Sequence, residues 1–275
     1  MESLLEVLRR RRERRPHARA SGAATAFAFL VVVPTLSGLG YLIRSNPDVI
    51  AAELVIWISL IAAVELLPVP TWHGVHVSLG FPMLIAVALI YDPAAAAAVA
   101  FLGSFDPREF RREVSVSRGL FNRAQVTVAV FAASSTFHAL ASLSQPWPKL
   151  VPVALLATLV DYVVNLGLVS AYVALNHHLS PPVVARQLLG RGHEFLISYL
   201  GLGLVGTVLA KLFLVPGVGM WSVVTVLAPL LFARQMFFRS QALEEAHREL
   251  QDREQVLRTL STRMAEERQD ERAAI

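Results

Sequence analysis

The side chains able to do chemistry in this chain are few, and most lie in stretches otherwise built from apolar residues. Asp161 and Asn165 are four apart, so on a helix they share one face. Asn122 and Gln125 are three apart in another run, with Arg123 beside them. Glu53 and Glu65 fall near the two ends of a third. Ionisable residues inside an apolar span are expensive and turn toward the protein interior. A buried carboxylate needs a cation or hydrogen-bond donors. Arg123, or the amides of Asn122 and Gln125, are therefore the expected partners of Asp161. Two readings stand. One is a polar ligand pocket or ion site shared by the three runs. The other is hydrogen bonding between helices that fixes a bundle. Lys211, close to one end of its run, is expected to snorkel toward water.

Catalytic patterns are missing from the sequence. There is no cysteine, which excludes disulfides, thiol catalysis and cysteine zinc sites. His73 and His76 are three apart and His177 and His178 are adjacent, but no HExxH pattern or acidic cluster accompanies them. No Walker loop, GxGxxG or GxSxG is present, and Ser134, Ser135 and His138 share a run without a triad pattern. No enzyme activity, metal or cofactor is expected.

The elements that must position these residues read as membrane helices. Of 275 residues, 55% are apolar and 17% charged, with a mean hydropathy of +0.52. An ordinary soluble domain carries about 25% charged residues. Ala20 to Ile43, Ala124 to Pro148 and Leu212 to Ala233 contain no charged residue at all. Such runs read as bilayer spans. The expected architecture is an all-α polytopic bundle of eight helices, near 21–43, 49–67, 78–91, 93–104, 119–143, 150–175, 195–214 and 217–236. The third and fourth are short and divided by Asp92-Pro93, so they form either two tilted short helices or a hairpin that does not fully cross. Pro68 to Val77, with two prolines, is expected to be extended.

Charge orients the bundle. Seven arginines lie between Arg9 and Arg19. The connections carrying Arg108, Arg111, Arg112 and Arg118, and then Arg186 and Arg191, are also basic, whereas Arg44–Asp48, Ser144–Lys149 and Val215–Gly217 are short and poor in basic residues. The positive-inside rule then places both termini in the cytoplasm of a multi-pass protein. The net charge of +4 follows from this topology, so no nucleic-acid partner is expected.

The expected organisation is a basic N-terminus over 1–20, a membrane domain over 21–236 and a cytoplasmic helix over 237–275. From Arg234 onward the chain is highly charged and lacks Gly and Pro. Met236, Leu243, Leu250, Leu257 and Met264 recur at seven, and Leu260 falls on the offset seam. That spacing predicts a parallel dimeric coiled coil, with a single solvated helix held by i,i+4 pairs as the alternative.

Three stretches carry a resemblance: FNRAQ (Phe121 to Gln125), DYVVNLGLVSAYVAL (Asp161 to Leu175) and HEFLISYLGLGLVG (His193 to Gly206). They resemble the multi-span N-terminal input domains of bacterial signalling proteins, which precede diguanylate cyclase, HD-type phosphodiesterase or histidine kinase modules. Asn122 and Asn165 are the positions the resemblance carries over. AEERQDERAAI (Ala265 to Ile275) is similar to the opening of the phosphoacceptor helix in one class of sensor histidine kinases, with Glu271, Arg272 and Ile275 matching. The phosphoacceptor His and the ATP-binding domain of that family do not occur within these residues.

The resemblance implies a sensory input module in two-component signalling. Its expected partners are the lipid bilayer, a second copy through the C-terminal helix, and a cytosolic response regulator or output domain. Asp161, Asn165, Asn122 and Gln125 would sense, and the heptad residues would transmit. A small-solute transporter, or its membrane substrate-binding subunit, is the reading from another class. A membrane scaffold that recruits a cytosolic partner is the third.

Overall fold

A computed structural model describes residues 21–45, 52–66, 80–106, 109, 114–189 and 192–229, with single positions between 231 and 254. The basic arm, the Pro68–Val77 stretch with His73 and His76, and the heptad positions Leu257, Leu260 and Met264 lie outside the described residues. The chain divides into two compact units, Met1–Val224 and Thr225–Ile275. Among the described residues there is no strand.

The helices of the first unit are α1 (Gly22–Ser45), α2 (Ala52–Glu65), α3 (Phe81–Ile90), α4 (Pro93–Gly103), α5 (Val116–Leu140), α6 (Trp147–His177), α7 (Pro181–Leu189) and α8 (Gly192–Phe213). Three are long and apolar enough to cross a bilayer: α1, α6 and the Leu196–Phe213 part of α8. A bilayer core of about 30 Å needs about 20 residues at 1.5 Å each. Helices α3 and α4, with 10 and 11 residues, reach roughly half of that.

These two short helices form the interior. In α3 every residue from Phe81 to Leu89 is buried. Helix α4 carries alanine at six of its 11 positions, so its neighbours approach closely, and Ala95 to Ala100 and Gly103 are buried. Helix directions follow from the contacts. The Phe81 ring lies against Tyr199, and Pro82 and Ile85 lie against Gly206, so α3 runs with α8. At one end of α4 the Tyr91 carbonyl meets Ser134 and His138, and beyond its other end Phe105 meets Arg123, so α4 runs against α5. Thr158 and Asp161 of α6 meet Gly203 and Tyr199 of α8 in reverse order. Helices α5 and α8 are thus parallel, with the end of α8 reaching the turn after α5 through Lys211. It follows that α3 and α4 form an antiparallel hairpin.

Local sequence explains its turn. Asp92 caps α4 by accepting hydrogen bonds from the Ala94 and Ala95 amides at 2.9 and 3.1 Å. Pro93 sits at the first helical position, where it forfeits no hydrogen bond.

Two boundaries differ from expectation. Residues 176–194, read as a loop, contain α7. His178 ends α6 in the left-handed region at φ 55°, and Ser180 followed by two prolines starts the next helix. The expected last span at 217–236 begins later, because residues 214–220 form turns with positive φ at Gly217 and Gly219, and helix resumes at 221. In the second unit, Met236, Leu243 and Leu250 are helical and exposed.

Candidate functional site

Asp161 lies near the middle of α6 and is 2% exposed. Its partner comes from α8. The Tyr199 hydroxyl donates to Asp161 Oδ2 at 2.5 Å, and the Asn165 side chain also bonds that hydroxyl. Spacing i,i+4 on α6 is what lets Asp161 and Asn165 hold one tyrosine between them. Aromatic rings close the site. Phe81 lies 4.1 Å from the Tyr199 ring centroid and Tyr162 lies 5.0 Å from it.

Glycines set the approach of α8. A Cβ on Gly203 would sit 2.5 Å from Thr158 Oγ1 and Cγ2, and one on Gly206 would sit 2.5 Å from the Pro82 carbonyl oxygen. Residues 199, 203 and 206 share one face at helical spacing. The GLGLVG run is therefore the surface that seats α8 against α6 and α3 and brings Tyr199 to Asp161.

The other expected partners of Asp161 are engaged elsewhere. Arg123 pairs with Glu109 at 2.5 Å and lies 4.1 Å over the Phe105 ring. Gln125 donates to Asn122 Oδ1 at 3.2 Å, and Gln125 Oε1 has no hydrogen-bond partner. Glu53 interacts with the Tyr91 hydroxyl, which also accepts from Trp57 Nε1 at 3.1 Å. Glu65 is part-buried at the last turn of α2. The described contacts of these residues form separate polar clusters: Asp161–Asn165–Tyr199, Arg123–Glu109, Asn122–Gln125, and the Tyr91 turn. The physical reason is the α3–α4 hairpin. It occupies the interior of the unit, and α2 packs on α4 and α3.

Lys211, part-buried near the end of α8, donates to the Leu143 and Gln145 carbonyls, at 2.5 and 2.9 Å. Those carbonyls belong to the turn between α5 and α6, so Lys211 fastens the far end of α8.

Tyr199 is the site residue the sequence reading missed. An isolated tyrosine in an apolar run resembles any core aromatic. The available signal was the shortage of donors for Asp161 together with the closely spaced glycines that follow Tyr199. Among the described residues no three His, Asp or Glu side chains gather as metal ligands. Comparison with family models, with curated proteins and with solved structures found no match.

Proposed function

We propose that this chain is a membrane-embedded sensory input module that passes a signal through its C-terminal helix to a kinase-type output. The observation that carries the reading is the buried Asp161–Tyr199 bond between two apolar helices. A carboxyl at that depth marks a functional site by default, because its burial is costly. It bonds α8, which continues in sequence through the turns at 214–220 into the helix that resumes at 221 and then into the charged heptad stretch. A stimulus that favours one arrangement of this bond would favour one position of α8, and a signal needs such a difference between two states.

In this reading α1, α2, α5, α6 and α8 cross the bilayer together with the last span expected at 217–236, an even number of crossings in a polytopic bundle. The exposed Phe29, Leu30, Val33, Leu159, Val163, Leu204 and Val208 are apolar in keeping with a lipid-facing surface. The basic connections place both termini in the cytoplasm. Met236, Leu243 and Leu250 form part of a seam with a second copy, continued by Leu257, Leu260 and Met264.

The test uses the full chain in nanodiscs with spin labels at Leu243 or Leu250. Asp161→Asn and Tyr199→Phe should each change the label-to-label distance distribution or its mobility. Unchanged spectra in both variants, with the fold intact by circular dichroism, would sink the reading. The half-length α3–α4 hairpin favours one rival, a solute carrier, since interrupted helices line substrate sites in transporters. Uptake of a labelled solute into proteoliposomes would favour that rival.

A further inference from the structure

The surroundings of Asp161 narrow down what it binds. Its side chain is shut away from water, and Tyr199 is its hydrogen-bond donor. Among the described residues no cation pairs with it. Among the described side chains, the ionisable groups on the helices packed against α6 are placed elsewhere. On α5, Arg123 pairs with Glu109, His138 bonds the Tyr91 carbonyl, and Arg118 is exposed. On α8, Lys211 holds two carbonyls. Arg44 and Tyr41 of α1 and Arg186 of α7 are exposed. Among the described side chains the titratable groups packed at Asp161 are two phenols, Tyr199 and Tyr162. A carboxyl stripped of water must be neutralised or paired.

Space is the second constraint. The α6–α8 seam is too tight for a methyl group at Gly203, and the α3–α8 seam is too tight for one at Gly206, with clashes at 2.5 Å in both cases. Phe81 seals the site from the α3 side, 4.1 Å from the Tyr199 ring. Packing of this kind leaves no room between the helices for an organic ligand or a hydrated ion. A proton needs none.

We propose that the Asp161 carboxyl, framed by Tyr199 and Asn165, is a proton-binding site, and that the proton is the ligand of this module. The second half of that statement rests on the input-module reading. The step is simple in its balance: carboxylate oxygen takes one proton and releases it again, with no other bond made or broken. What changes is the hydrogen-bond inventory. The carboxylate only accepts, whereas the acid also has one O–H to donate. Tyr199 donates to the carboxylate. When the protonated oxygen is the one facing Tyr199, the tyrosine hydroxyl accepts from it and turns its own hydrogen away. Proton occupancy therefore rewrites the bonds across the α6–α8 seam.

The experiment is infrared difference spectroscopy of the full chain in phosphatidylcholine nanodiscs during a pH titration. A carbonyl-stretch band of a protonated carboxylic acid should appear on acidification, shift in heavy water, and be lost in Asp161→Asn. Tyr199→Phe should keep the band but shift its frequency and move its midpoint by about one pH unit or more, a tenfold change in proton affinity. A titration identical in wild type and Asp161→Asn overturns the proposal, and so does a band that Tyr199→Phe leaves unmoved. Spin labels at Leu243 separate the two readings. If the band titrates and the labels do not follow it, proton binding stands and the signalling role fails. If the labels respond to pH equally in Asp161→Asn, the proton that matters binds elsewhere and the proposal fails.

Discussion

Gly206→Ala should loosen the packing of α8, whereas Gly201→Ala on the same helix should not. A Cβ at Gly206 would meet the Pro82 carbonyl oxygen at 2.5 Å and Ile85 Cβ at 3.0 Å, while nothing lies within 4 Å of a Cβ at Gly201. The first neighbour is backbone, and that backbone belongs to α3, whose Met83 and Ile85 are 0% and 1% exposed. It has no free direction in which to yield. Overpacking a filled interior costs about 1–3 kcal/mol. The helix preference of Ala over Gly returns about 1 kcal/mol at either site. Gly206→Ala is therefore expected to lose up to about 2 kcal/mol, and Gly201→Ala to gain up to about 1 kcal/mol. The comparison between the two is cleaner than either alone, because the substitution and the helix are the same. Unfolding of the purified chain in mixed micelles, followed by circular dichroism, measures both. Gly203→Ala supplies an internal control. Its Cβ meets only the Thr158 side chain, so adding Thr158→Ala should recover most of the loss. If Gly206→Ala proves as stable as Gly201→Ala, the close seating of α8 on α3 is wrong.

Three further outcomes follow from the described contacts. Lys211→Met removes the donor to the Leu143 and Gln145 carbonyls and should cost about 1–3 kcal/mol, read as a lower unfolding midpoint. Asp92→Ala removes the cap of α4 and should cost about 1 kcal/mol, whereas Asp92→Asn or Asp92→Ser should retain most of it, checked in the same unfolding assay. Glu109→Gln breaks a pair whose side chains keep 17% and 18% exposure, so its effect should be modest and should shrink as salt is raised, seen in titrations at two ionic strengths.

How far the site was legible can be judged residue by residue. Asp161 and Asn165 were recognisable as a pair because i,i+4 spacing is a local property of a helix. Their partner was not, because Tyr199 is 38 residues away and nothing in its own neighbourhood marks it as a donor. Arg123 was expected to serve Asp161 on charge alone, yet Glu109, only 14 residues from it, takes that role. Asp92-Pro93 was legible as a break, since a proline after a capping residue starts a new helix wherever it occurs. Ser180 with two following prolines carries the same signal for α7, but a short segment rich in proline reads as loop when the apolar runs on either side are being matched to spans.

The sequence alone determined that the chain is helical and apolar, that a helix breaks at Asp92-Pro93, and which carboxyl stands in the middle of an apolar run. Those properties depend on near neighbours: runs of hydrophobic side chains, the missing proline N–H, the turn of a helix. Only the tertiary structure decided which apolar helices face each other and which face outward. An apolar surface is equally content against lipid or protein, so hydropathy cannot separate the exposed side of α1 from the buried α3. Close approach through Gly203 and Gly206, and the hairpin that fills the interior, made that choice, and with it placed Tyr199 on Asp161.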